Sequence, residues 1–192
     1  MRKLKLQVQI SIDGFICGPK GEMDWLVMSW SNDIQNYVDM ITEPVDTILL
    51  GRKLAEGFIP HWAAVAADES HPERSAGQKY SETKKVVFSK TLKASPWENA
   101  KVTSGDLVKE VTALKNSNGG DLIVYGGSTL VSSLIKEQLI DELHLFVNPT
   151  VIGRGMPIFS EVRENQPYKL ANVKPFECGI VMLQYNLGQP KK

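Results

Sequence analysis

The chain has 192 residues, 42% of them apolar and 23% charged, and its 22 Lys and Arg balance its 22 Asp and Glu. These values exclude a disordered chain, a disulfide scaffold and a collagen-like fibre, and zero net charge leaves no electrostatic footprint for nucleic acid or an anionic membrane. A chain of this length buries roughly 70% of its unfolded surface, which suits a single domain over 1–192.

The first stretch, 3–11, alternates Leu4, Leu6, Val8 and Ile10 with Lys5, Gln7 and Gln9, the period of a strand. It opens with basic residues but lacks the apolar run of a signal peptide, and no segment reaches the roughly 18 apolar residues of a membrane span. Asp13-Gly14 and Gly18-Pro19-Lys20-Gly21 form a turn-rich loop. Ile34, Tyr37, Val38 and Ile41 share a face of a helix over 31–43, with Ser31 or Asn32 as cap and Pro44 as stop. Val45–Leu50 reads as a buried strand, and Gly51-Arg52-Lys53 opens a short helix to about Phe58. Residues 60–80, with His61, Trp62 and an Ala-rich run, read as an irregular surface excursion with at most a helical turn.

Lys85–Ser89 is a further buried strand and Ala100–Thr103 a weak one. A helix follows from Asp106, stopped by Asn118-Gly119-Gly120 as a left-handed cap. The strand Asp121–Tyr125 runs into Gly126-Gly127, and Ser128-Thr129 begins a helix to about Gln138. Glu142–Asn148 is a strand, 149–157 a glycine-containing loop, and Tyr168–Pro175 with Ile180–Leu187 a closing antiparallel hairpin before a frayed tail of five residues. This order predicts an α/β fold of three layers, a mostly parallel sheet with an antiparallel C-terminal hairpin. Cys17 and Cys178 stand apart in no paired motif, as in a reduced cytoplasmic protein.

Three strand ends carry candidate chemistry. At Gly126-Gly127-Ser128-Thr129 two glycines bring backbone N–H groups outward at a helix start, which suits a phosphate and equally suits a plain tight turn. Gly51-Arg52-Lys53 repeats the pattern with two cations, which also serve as a solvated surface pair. Ser89-Lys90-Thr91 adds hydroxyl, cation and hydroxyl. Ligands of open α/β sheets lie beyond the carboxyl ends of the strands, and a dinucleotide needs several such contacts. None of the three matches a Rossmann fingerprint or a Walker loop.

The ordered set Ser11-Ile-Asp13-Gly14-Phe-Ile16, Ile48–Lys53, Val87–Lys90, Val124–Ser128, Leu139–Leu143 and Pro149–Phe159 resembles the dihydrofolate reductase superfamily. Within it the chain is most similar to the C-terminal reductase domain of the bifunctional riboflavin-biosynthesis deaminase–reductase. The resemblance implies an NADPH-dependent reductase of a small heterocyclic substrate, the 5-amino-6-(5-phosphoribosylamino)uracil type, acting as a homodimer paired through about Leu143–Phe159. It places Ile16 against the nicotinamide, Gly51, Arg52 and Lys53 on the cofactor phosphates, Ser89 and Lys90 on the 2′-phosphate, and Gly126, Gly127, Ser128, Thr129 and Leu130 under the pyrophosphate. Leu54 stands where the family usually has threonine.

The substrate side implies Asp13, Trp25 and Asp33. Asp13 is a polar cleft contact or a turn residue, Trp25 a cleft aromatic or a loop anchor. Asp33 is the buried carboxylate of a true dihydrofolate reductase or a solvated residue at a helix start. His71-Pro-Glu73 spells the His-x-Glu of a zinc deaminase, but no Pro-Cys-x-x-Cys follows, so no metal is expected. The other readings are a dihydrofolate reductase using Asp33, and a nucleotide- or flavin-binding protein without turnover.

Overall fold

The structure is a computed structural model that describes residues 1–188; the expected tail lies, beyond Gly188, outside the described residues. Gly188 itself donates its N–H to the Pro167 carbonyl at 2.8 Å. β1 (Leu4–Ile10) and the short β2 (Phe15–Cys17) are followed by a long loop and α1 (Asn32–Thr42). β3 (Val45–Gly51) runs directly into α2 (Arg52–Ala67), and α3 (Arg74–Glu82), β4 (Lys84–Phe88) and β5 (Ala100–Thr103) come next. Then follow α4 (Leu107–Asn116), β6 (Asp121–Val124), α5 (Ser128–Lys136) and β7 (Glu142–Val147). The two-residue β8 (Met156–Pro157) and the hairpin β9 (Tyr168–Pro175) and β10 (Val181–Leu187) complete the chain.

Among the described residues, eight strands form one sheet in the order β5-β4-β3-β6-β1-β7-β10-β9. The first six are parallel, and β10 and β9 close the sheet antiparallel. β2 and β8 pair separately. One face carries α4 and α5 over Leu4, Leu6, Val8, Ile10, Leu122 and Val124. The other carries α1 over Phe146 and Met182, and α2 and α3 over Ile48, Leu50, Val87 and Ile123. The expected α/β architecture with its antiparallel hairpin is present.

Two local expectations need correction. The helix after Gly51 does not stop near Phe58 but continues to Ala67, and 74–82 is a second helix. Pro60 sits inside α2 on its exposed side, where the missing N–H removes one helical bond, to the Glu56 carbonyl, without disturbing the buried face. The Ala-rich run beyond it has the highest helix propensity. Trp62 is a packing residue: with Phe58, Tyr80 and Tyr125 it forms an aromatic cluster whose ring centroids lie 4.5–6.1 Å apart. The second correction is at α4, which ends at Asn116 with an extended Ser117, so Gly119 is not its left-handed cap.

The alternation of β1 does not produce a wet face. Lys5 and Gln7 are as buried as Val8 and Ile10, because α1 covers their side of the sheet. The Lys5 ammonium donates to the Ile41 carbonyl at 3.1 Å and pairs with Asp121 at 2.9 Å. Beside it, Glu142 accepts from Lys3 at 2.6 Å and from His144 Nε2 at 3.3 Å, and His144 Nδ1 lies 3.1 Å from the Tyr37 hydroxyl. Burial first, and then the Glu142 charge, pushes the Tyr37 phenol up to about 12. The His144 hydrogen bond and then Lys3, outweighing burial, hold the Glu142 carboxyl down at about 2.

A carboxyl with a lowered folded pKa stabilises the fold above its unfolded value and loses that contribution as pH falls. For Glu142 the window runs from about 4.5 down to about 2, and the full contribution is on the order of 3 kcal/mol. Glu142→Gln is therefore expected to be less stable at neutral pH and to show a flatter stability–pH curve below pH ~5 than the parent. Chemical denaturation across that range checks it; parallel acid limbs would show that Glu142 is not the responsible group.

Candidate functional site

Because β4, β3 and β6 are parallel neighbours, the turns at their carboxyl ends become neighbours too. Gly51–Lys53, Ser89–Thr91 and Gly126–Thr129 thus line one edge of the sheet. The starts of α2 and α5 touch: a Cβ on Gly51 would lie 3.6 Å from the Leu130 Cβ, and one on Gly127 would lie 4.0 Å from the Leu54 Cβ. Leu54 thereby supplies packing at the position where threonine was expected.

Gly126 and Gly127 have φ of +137° and +81°, a backbone that side chains with a Cβ resist. A Cβ on Gly126 would meet nothing within 4 Å, so this strained backbone faces open space. The N-cap residues of α2 and α5 are Gly51 and Gly127, neither helix has a side-chain cap bond, and neither has an acidic residue in its first turn. α4 alone among the described helices has a side-chain cap: its Asp106 carboxylate accepts the Lys109 N–H at 2.9 Å, while α1 and α3 start without one. Two adjoining helix starts with free N–H groups and positive dipole ends form a cradle for an anion.

The cations differ in availability. Arg52 donates to Glu56 one turn along at 2.6 Å, with about a third of its side chain exposed. Lys53 and Lys90 are exposed. Ser89 is buried, and its hydroxyl oxygen accepts from the N–H groups of Thr91 and Leu92 at 3.1 and 3.0 Å. That hydroxyl shapes the turn, and the turn presents Lys90 at its tip.

The substrate-side residues are placed otherwise than a buried acid requires. Asp33 accepts from Ser31 Oγ, from the Ile34 N–H and from the Glu177 N–H at 2.5, 2.8 and 3.2 Å. It holds the start of α1 against the β9–β10 turn, and the Ser31 hydroxyl is the main reason its carboxyl lies below the usual range. Asp13 accepts from Ser11 Oγ and from the N–H groups of Ile152 and Gly153 at 2.6, 3.2 and 2.7 Å, which ties two loops together. Trp25 is half-buried in the loop before α1, its indole N–H donating to the Glu22 carbonyl at 3.3 Å. Trp30 packs on the α1 cluster. Ile16 lies on β2, packed against the main core.

Sequence reasoning missed Asn148. It is fully buried at the end of β7, accepts the Val27 N–H at 2.9 Å and donates to Gln9 Oε1 at 2.7 Å, so it docks the loop before α1 onto the sheet. A polar residue between an apolar strand and Pro149 was the available signal. His71 Nδ1 accepts the Glu73 N–H in a local turn. Among the described residues no group of His, Cys, Asp and Glu is placed to hold a metal ion, and no helix is long and apolar enough to cross a membrane. A surface hollow of about 510 Å³ lies at the opposite, amino edge of the sheet, lined by Asp46, Lys79, Glu82 and Lys84 among others, away from the three turns.

This sheet, with its glycine turns at one edge, has the architecture of a known family of domains, that of the riboflavin-type reductases. The model of the RibD C-terminal domain family matches residues 2–182, and the chain belongs to that family. It is 32% identical over 189 residues to the uncharacterised protein YyaP of Bacillus subtilis, covering 96% of this chain and 95% of that one. Solved structures share the fold. The deaminase/5-amino-6-(5-phosphoribosylamino)uracil reductase of Thermotoga maritima superposes with a TM-score of 0.69 at 16% identity, over 97% of this chain and 57% of that one. A dihydrofolate reductase from Enterococcus faecalis, complexed with NADP(H), gives 0.63 at 18% identity over 97% of each chain. The fold is dihydrofolate reductase-like.

Both Asp33 oxygens are engaged by the α1 start and the hairpin turn, so Asp33 is not held free for a pterin ring. Methotrexate is therefore expected to give no thermal stabilisation of the wild-type protein, while Asp33→Ala lowers Tm by loosening the α1 start. A methotrexate-induced rise in Tm that Asp33→Ala abolishes would return Asp33 to the substrate.

Proposed function

We propose that this protein is an NADPH-dependent reductase that transfers a hydride to a small heterocyclic substrate of the riboflavin-biosynthesis type, with residues 1–192 as one domain. The observation that carries the reading is the pair of glycine-led helix starts, adjoining and free of side-chain caps, with a presented lysine one strand away. Gly126, Gly127, Ser128, Thr129 and Leu130 cradle the pyrophosphate, and Gly51, Arg52 and Lys53 face the same phosphates. Lys90, set by the Ser89 turn, meets the 2′-phosphate, and Ile16 lies against the nicotinamide. The bound cofactor supplies the hydride; the chain supplies position and a dry surface. Asp13 and Asp33 are engaged by backbone N–H groups, so the proton comes from water. Free Cys17 and Cys178 accord with the cytoplasm.

The same reading includes a homodimer, with the β9–β10 face added to the expected 143–159 stretch, in which Val151 and Phe159 are exposed. Leu143 and Leu145 are buried by their own chain. Their side of the sheet continues onto Leu183 and Tyr185 of β10 and onto Leu170 and Val173 of β9, where the last two are 51% and 48% exposed. An apolar strand face of this kind suits a second copy of the chain.

Lys90→Ala is expected to raise the Kd for NADPH about tenfold and leave NADH unchanged, the size of one charge-assisted hydrogen bond. Fluorescence titration with both nucleotides checks it, and equal binding of NADPH and NADH by the wild type would remove the 2′-phosphate assignment. Val173→Glu is expected to yield a folded monomer whose Tm no longer rises with protein concentration, as sedimentation and melting experiments check. A wild-type monomer would sink the dimer.

A further inference from the structure

Three hydrogen-bond donors from two distant loops converge on the exposed Asp13 carboxylate. Gly153 N–H donates to Oδ2 at 2.7 Å, Ile152 N–H to Oδ1 at 3.2 Å, and Ser11 Oγ to Oδ1 at 2.6 Å. Ser11 Oγ in turn accepts the Phe15 N–H at 3.1 Å, and the Ile12 N–H donates to the Thr150 carbonyl at 2.8 Å. Just beyond this knot β2 pairs with β8, Phe15 opposite Pro157 and Cys17 opposite Met156. The approach is tight: a Cβ on Gly155 would fall 2.2 Å from the Cys17 carbonyl oxygen. The far side of this small plate reaches the glycine turn, where Ser128 Oγ donates to the Met156 sulfur at 3.8 Å. Ile16 rides on the plate.

We propose that Asp13 is a positioning residue: its carboxylate clamps the 149–153 loop onto the 11–14 loop, so that the β2–β8 plate and Ile16 are held as one unit beside the Gly126–Ser128 turn. The inference rests on the NADPH reading above, and it assigns the clamp to the nicotinamide half of the cofactor and not to the adenosine half. A carboxylate is required because all three partners are donors. Asparagine has the same shape but turns an NH₂ group toward one of them, which breaks at least one arm without opening a cavity. Asp13 is exposed, so no core packing depends on it. Ser11 hydrogen bonding chiefly, then Gly153 and Ile152, holds its carboxyl below the usual range, and the clamp persists into mild acid.

The test compares NADPH with adenosine 2′,5′-bisphosphate, which carries only the adenosine half, on the wild type, Asp13→Asn and Ser11→Ala. Amide exchange at Ile152 and Gly153 is followed in parallel. Asp13→Asn is expected to weaken NADPH about tenfold, to leave the bisphosphate within about twofold, and to speed exchange at Gly153. Ser11→Ala shifts the same readouts in the same direction, and the double variant adds less than the sum of the two, as members of one network do. Equal weakening of both ligands would reduce Asp13 to a general stabiliser, and unchanged NADPH binding or unchanged exchange would remove the clamp. Wild-type protein that binds neither ligand overturns the cofactor reading and the nicotinamide role with it, while the exchange arm still decides whether the two loops are clamped.

Discussion

The parallel run β5-β4-β3-β6-β1-β7 is the constraint on which the rest depends. Parallel strands need crossovers, every crossover here except the 89–99 loop between β4 and β5 carries a helix, and the helices cover both faces of the sheet. Two consequences follow. All six strands end at one edge, which gathers turns from residues 51, 89 and 126 into one place. And every side chain of the central strands must be satisfied inside the protein, whatever its polarity. Lys5, Gln7, Glu142 and His144 are the test of the second consequence. Lys5 is answered by α1 and β6, His144 by Tyr37 of α1, and Glu142 by Lys3 just before β1 and by His144 on its own strand, while Gln7 keeps a buried carbonyl oxygen without a partner.

What was legible in the sequence follows from the same constraint. The strand end at Gly126-Gly127 could be read because its positive φ values leave few other residues able to serve there, and that information does not depend on tertiary context. The sheet's class could be read from the order of apolar runs. The extent of α2 could not, because Pro60 signals a break in one dimension, whereas in three dimensions it sits on the exposed side of a helix whose Ala55, Ile59 and Val65 are buried. The burial of Lys5 and Gln7 was hidden for a similar reason: alternation shows which residues share a face, not whether that face is wet. Asp13 and Asp33 could be picked out as unusual, but their partners, Gly153 and Glu177, lie about 140 residues away along the chain.

Likeness to a family does not sort its motifs by purpose. The stretch Leu139–Leu143 helped to carry the resemblance, yet it lies at the amino edge of β7, opposite the three turns. Asp141 there accepts the Leu4 N–H at 2.7 Å and pairs with Lys115 at 2.7 Å, and Glu142 anchors Lys3 and His144. These carboxylates join β7, β1 and α4 and have no route to a ligand at the far edge. The 149–159 stretch, by contrast, holds both the clamp on Asp13 and the strand that reaches the glycine turn. A fold-level match is equally consistent with either kind of motif, so activity has to be argued from the edge and not from the match.

At that edge the helix ends and side chains suit an anion. A glycine N-cap gives up only a few tenths of a kcal/mol relative to Ser, Asn or Asp. The glycine turn adds a conformational-entropy cost of about 0.5–1 kcal/mol. Among the described helices α4 alone has a side-chain cap bond, at Asp106, and α1 and α3 lack one as well, so what sets α2 and α5 apart is glycine at the N-cap. Their ends adjoin, and the first turns hold Arg52, Lys53, Ser128 and Thr129 with no acid among them. Free N–H groups, positive dipole ends, cations and hydroxyls are all deficits in the absence of an anion and all contacts in its presence. An anion bound across the two helix starts would offset the small stability forgone there.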